Sequence, residues 1–159
     1  SFLKYAKDYK GNLLQFLDNT MHIFNVLWKT EETEIKALER KVMDTIHKLI
    51  EVFGACDIVA RKYKNGERNK QFNRVLLEVL VYFFDKVDET KLTEENNRNF
   101  VLAYKKLFDV DTDFQATIDG STKNMENYKI RYSRIQDIVN EEYGLKLVSP
   151  FEYVEQRVK

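Results

Sequence analysis

The sequence predicts an all-α fold, an irregular bundle of six or seven helices around one central apolar helix at about residues 72–87. Three observations predict it. Between Phe72 and Val87, apolar residues stand at 72, 75, 76, 79, 80, 83, 84 and 87, the i, i+3, i+4, i+7 recurrence of a helix. Leu77, Val81 and Tyr82 add apolar surface on the remaining sides, and a helix apolar over most of its circumference is surrounded by other elements. Five glycines and the single Pro150 are too few for a turn-rich β sandwich or barrel.

In chain order, Phe2–Lys10 reads as a short helix broken by Gly11-Asn12. Asn12 caps a helix to about Lys29, with Leu13, Leu14, Leu17, Met21, Phe24, Leu27 and Trp28 as its apolar face. Thr30 caps a second, whose Glu31, Glu32 and Glu34 suit the positive end of the helix dipole. Its stripe runs Ile35, Leu38, Val42, Ile46, Leu49 and Phe53, and Gly54 stands in the usual stop position. The short link between them predicts an antiparallel pair. Ala55–Ala60 reads as irregular or a brief helical turn, and Arg61–Lys70 as the main loop, built around Asn65-Gly66.

After the core helix, Thr93 caps a helix with Phe100, Val101, Tyr104, Leu107 and Phe108 facing inward. Asp111 or Asp113 opens a short helix that ends at Gly120, and Ser121 or Thr122 caps the next, stopped by Gly144. Ser149-Pro150-Phe151-Glu152 is a capping box with proline at the first helical position, which predicts a final short helix. With no internal repeat and no low-complexity linker, residues 1–159 read as a single helical domain.

Composition excludes more than it assigns. The 26 basic and 26 acidic residues cancel, so no global field steers the chain toward nucleic acid. One cysteine, Cys56, allows no internal disulfide and suits a reducing compartment, so the expected location is cytoplasmic. No stretch reaches the roughly 20 apolar residues of a membrane span, and no membrane partner is expected.

Catalytic and metal-binding patterns fall short. Asp18/His22 and Asp44/His47 have helical metal-ligand spacing, but a di-metal bundle needs inward carboxylates from two further helices, and the core helix offers only Glu78. Asp109, Asp111 and Asp113 imitate a calcium loop, yet its sixth and twelfth places hold Phe114 and Gly120 where glycine and glutamate are required. Cys56 has no histidine nearby in sequence and reads as packing, and no Gly-rich phosphate loop occurs. The chain is therefore read as no enzyme in itself, with no cofactor.

The best local signal is basic. Arg61, Lys62, Lys64, Arg68 and Lys70 lie within ten residues, with Tyr63 among them, Glu67 as the sole opposing charge and Arg74 beyond. Flexible cations beside an aromatic suit phosphate contact with incidental base stacking. The bland alternative is a solvated loop balanced by the acidic stretch 85–95. Lys129, Arg131 and Arg134 form a weaker basic patch, in which Arg131 also suits a structural ion pair.

Three segments together resemble the helical C-terminal half of the GmrSD-type, ParB-like nuclease family of prokaryotic restriction and anti-phage proteins. They are Phe53-Gly54 through Arg61-Lys62, then Phe72-Asn73-Arg74-Val75-Leu76-Leu77-Glu78, then Phe114–Ile118 with Ser121-Thr122, Arg131 and Ile135. Leu77 stands where that family more often has Phe, and Thr117 where it has Ala; the similarity spans about Leu38 to Val139. The resemblance implies a non-catalytic helical domain of a defence nuclease, in a longer protein whose ParB-like catalytic half, a nuclease or nucleotide hydrolase, lies N-terminally and is absent from these residues. It implies that ParB-like domain, and DNA, as partners. Asn73, Glu78, Thr122 and Arg131 carry the motif, with a structural role of tying helices together favoured over substrate contact. The alternative is a stand-alone all-α interaction or scaffold module.

Overall fold

The computed structural model describes residues 2–119 and 124–151. Helix makes up 75% of it, and the described residues hold only a small two-stranded sheet, so the all-α class holds. Helix α3, Arg74–Phe84, sits at the centre: Leu76 and every residue from Val79 to Phe84 are buried. Asn73 opens it from an extended conformation, its Oδ1 accepting from the N–H groups of Val75 (3.0 Å) and Leu76 (3.1 Å). The helix is thus shorter than 72–87. Phe72 ends a strand and is half exposed, while Val87 is buried just beyond the helix, in a tight turn closed by its N–H to the Phe84 carbonyl.

Around α3 lie α4 (Glu94–Val110) and α6 (Met125–Tyr143), joined by the short α5 (Thr112–Asp119). Thr93 caps α4 as expected, accepting from Asn96 N–H, and Phe100, Tyr104 and Phe108 are its buried face. Asp111, of the two candidates, caps α5 by accepting from Phe114 N–H at 2.8 Å. Helix α6 is capped by Asn124; the expected caps Ser121 and Thr122, like Gly120, lie outside the described residues. Gly144 ends α6 at φ 63°, in the left-handed region where a side chain is strained. The chain then folds back, with the Asn140 side chain bonding both the N–H and the carbonyl of Leu147, and Phe151 lands against Tyr132 at 4.8 Å. The Ser149 hydroxyl accepts from Phe151 N–H, but the rest of the expected final helix lies outside the described residues.

The N-terminal region is α1 (Phe2–Tyr5), a 3₁₀ turn, and the long α2 (Leu13–Phe53), which Asn12 caps and Gly54 closes at φ 86°. The two expected helices join with no loop: only Glu31 leaves helical geometry (φ −129°, ψ 32°), and the Thr30 hydroxyl bonds back to the Leu27 carbonyl. On a straight helix Leu17 and Val42 would stand about 37 Å apart. They line one cleft together with Leu13 and Ile46, so the chain turns sharply at Glu31 and returns beside itself. Lys41 and Lys48 of the returning half hold the end of α3, pairing with Asp85 (3.0 Å) and the Val87 carbonyl (3.2 Å).

The expected loop 61–70 is instead a β-hairpin, β1 (Arg61–Lys64) and β2 (Glu67–Phe72), antiparallel with a bulge between Arg61 and Tyr63. Asn65 (φ 52°) and Gly66 (φ 76°) supply the two positive φ values of a type I′ turn, whose twist suits paired strands. Tyr63 is buried against Tyr104 and Phe108 of α4, and the Tyr104 hydroxyl donates to the Arg61 carbonyl (3.0 Å). One aromatic anchor clamps the hairpin to the bundle.

Because Asn73 alone satisfies two N–H groups at the start of the central helix, Asn73→Ala should cost about 1–2 kcal/mol in urea unfolding, and Asn73→Asp much less. Equal losses in the two variants would show that the cap is not what matters there.

Candidate functional site

Three places could carry function: the basic hairpin, a buried polar cluster on α3 and α6, and the outer face of α2.

The hairpin's charges are largely answered. Arg61 donates to the Asp57 carbonyl (2.9 Å) and the Lys70 carbonyl (2.8 Å), and its guanidinium lies over the Phe72 ring. Arg68 pairs with the Asp57 carboxylate at 2.7 Å, and that bond holds the Asp57 carboxyl below its ordinary range. Lys62 pairs with Asp119 across a cleft of about 550 Å³ between the hairpin and α5. Of the six cations singled out from sequence, Lys62 and Arg68 form ion pairs, Arg61 hydrogen-bonds carbonyls alone, and Lys64, Lys70 and Arg74 have no ion pair among the described residues. Arg74 belongs elsewhere, lining the cleft beside α2.

The polar cluster joins two residues that the sequence had singled out. Glu78 of α3 accepts from the Tyr132 hydroxyl at 3.3 Å, and Arg131, fully buried, is its nearest strong positive influence. Arg131 donates to the Thr117 carbonyl (2.7 Å) and its guanidinium lies over the Tyr128 ring, so it ties α5 to α6. Burial dominates Glu78: its carboxyl is pushed up to about 7, although Arg131, the Tyr132 bond and Arg74 all pull it down. The Tyr132 and Tyr128 hydroxyls are pushed up by burial and then by the Glu78 charge. Asn73 is a helix cap, and Thr122 lies outside the described residues. Tyr9, Tyr128 and Tyr132 were not singled out from sequence, because aromatic residues at helical spacing carry no mark of which will gather around a carboxylate.

The remaining candidates disperse. Among the described residues no three His, Cys, Asp or Glu side chains come together as a metal site, and His22 and His47 are exposed. Asp109 accepts from Asn65 N–H, and Asp111 pairs with Arg134 at 2.7 Å, so both aspartates organise the chain. Cys56, expected to be packed, is exposed. No helix among the described residues is long and apolar enough to cross a membrane.

The outer face of α2 is the largest departure from expectation. Leu14, Met21 and Trp28, read as core, are exposed, as are Ile23 and Val26. The inward residues of that helix are Phe16 and Thr20, with Leu13, Leu17, Phe24 and Leu27 half-buried.

Glu78 makes stability depend on pH. The folded state holds its proton more tightly than the unfolded chain, whose carboxyl sits near 4.5. The contribution is therefore whole below about pH 4.5 and is lost as pH rises through about 7, by roughly 3 kcal/mol in all. Glu78→Gln should flatten this loss, so that the variant gains on wild type between pH 5 and 8 in denaturant titrations. Parallel pH profiles would place the burial elsewhere.

Compared with known proteins, the chain matches no family model, no curated protein and no solved structure.

Proposed function

We propose that this domain is a non-catalytic interaction module that docks an amphipathic helix of a partner protein along the outer face of α2. The single observation that carries this reading is the exposed line Leu14 (72%), Met21 (56%) and Trp28 (46%). Residues seven apart fall on nearly one side of a helix, so the three form a narrow seam about 21 Å long, the size of a helix-in-groove contact. Charge supports it. One third of the whole chain is charged, yet from Gly11 to Thr30 the charged residues are only Asp18 and Lys29. Depletion of charge around exposed aromatic and Met side chains is the composition of an interface core, not of a solvated helix.

The resemblance to the helical half of GmrSD-type nucleases names a specific partner, a ParB-like domain N-terminal in the same protein, with DNA as a further contact. Its support is that Glu78 and Arg131, two of the residues carrying the resemblance, meet in one buried cluster, as residues that tie helices together would. For DNA the support is narrower: Lys64 and Lys70 are exposed cations on a projecting hairpin, without ion pairs among the described residues.

Two tests follow. The domain alone should self-associate with rising concentration in light scattering, and Leu14→Glu/Met21→Glu/Trp28→Glu should stay monomeric with unchanged helical circular dichroism. A wild type that remains monomeric near 1 mM, a concentration at which even weak contacts form, would exclude a second copy of this chain as the occupant of the seam. Reversing Arg61, Lys62, Lys64, Arg68 and Lys70 to Glu should weaken salt-sensitive binding to a DNA duplex, and Lys64→Glu/Lys70→Glu, which spares the Asp57 contacts, should account for most of that loss. No binding by wild type at low salt would retire the hairpin as a nucleic-acid surface.

A further inference from the structure

Where α2 returns beside itself, α1, both halves of α2 and one face of α3 enclose a cleft of about 300 Å³. That is the lower end of the range for small-molecule sites. Its walls are apolar: Leu13 and Leu17 from the outgoing half of α2, Val42 and Ile46 from the returning half, Leu77 and Val81 from α3. Two charged side chains enter it, Arg74 and Glu78, one helical turn apart on α3. Arg74 is exposed and has no ion-pair partner among the described residues. Glu78 uses Oε1 to accept from the Tyr132 hydroxyl. Arg131, buried outside the cleft lining, also acts on Glu78, so the charges of Arg74 and Arg131 outweigh that of the one carboxyl.

We propose that this cleft binds a small aliphatic carboxylate, with its chain between the two halves of α2 and its head group on Arg74 beside Glu78. An apolar slot ending in an unpaired guanidinium complements such a molecule in shape and charge. An alkylamine would set its cation against Arg74 and Arg131, and an alcohol would leave the Arg74 charge unanswered. The protonated Glu78 carboxyl donates a hydrogen bond to the bound carboxylate, whereas the ionised one repels it, so binding tightens as pH falls. The groups facing Glu78 are Arg74 on its own helix, Arg131, Tyr128 and Tyr132 on α6, and Tyr9 after α1. The α-amino group also acts on Glu78 and titrates near neutrality, so the Glu78→Gln variant is what assigns the pH dependence; the tyrosine hydroxyls are pushed upward, away from neutrality. This site uses the inner face of α2 and stands independently of the docking seam on the outer face.

The test is calorimetric titration of the full chain with sodium octanoate, octylamine and octanol at pH 6 and pH 8. Octanoate should bind with a Kd of about 1 mM or tighter at pH 6, at least tenfold better than octylamine. It should weaken severalfold at pH 8. Arg74→Ala should reduce affinity at least tenfold, and Glu78→Gln should remove the pH dependence while keeping binding. Leu17→Trp, which fills the slot, should abolish binding while circular dichroism stays native. Equal or tighter binding of octylamine, an unaffected Arg74→Ala variant, or identical octanoate affinity at the two pH values would overturn the proposal. So would an absence of octanoate binding to a folded wild-type chain.

Discussion

A helix buried on every side must be enclosed by others, and α3 imposes that condition on the whole molecule. Six successive residues, Val79 to Phe84, point around its full circumference and all are buried. Phe84 meets Phe100 of α4 and Tyr143 of α6, Phe83 meets Tyr132, and the apolar face at Leu77 and Val81 turns toward α2. Each neighbour covers a different sector, so no single surrounding helix can be lost without exposing a strip of the central one. The Asn73 cap and the lysine contacts from α2 hold its two ends where backbone groups would otherwise lack partners.

The same enclosure decides the chemistry of Glu78. On an exposed helix a glutamate four residues after an arginine is an ordinary ion pair. Packed beneath α6, it loses water on most sides, and a tyrosine hydroxyl with a buried guanidinium does not replace what is lost. Arg131 does not simply neutralise it, because its own donors also reach the Thr117 carbonyl and its plane rests on Tyr128. The cluster therefore links α3, α5 and α6 while keeping one carboxyl poised near neutrality.

On the hairpin, local chemistry was legible but incompletely read. Asn65-Gly66 is the dipeptide of a type I′ turn, and its flanks hold a pairing register with no β-branched residue in either strand. What favours strands over loop is remote in sequence: Tyr63 finds a pocket on α4, and Asp57, Asp109 and Asp119 each take a hydrogen bond or ion pair from the hairpin. A count of charges along the chain cannot reveal that Arg68 and Lys62 are answered by Asp57 and Asp119, aspartates from two other segments.

Helical periodicity determined the fold class, the buried centre and most helix ends, because the pattern of apolar residues and the cap residues Asn12, Gly54, Thr93 and Gly144 act within a turn or two of the chain. Which apolar stripes are covered was decided only in three dimensions. Leu14, Met21 and Trp28 have the spacing of a core face, yet burial depends on whether another element arrives, and among the described residues none does. The meeting of Glu78 with Arg131, and of Arg74 with the cleft of α2, has the same origin: contacts between residues tens of positions apart depend on how helices stack, and their spacing along the chain does not record it.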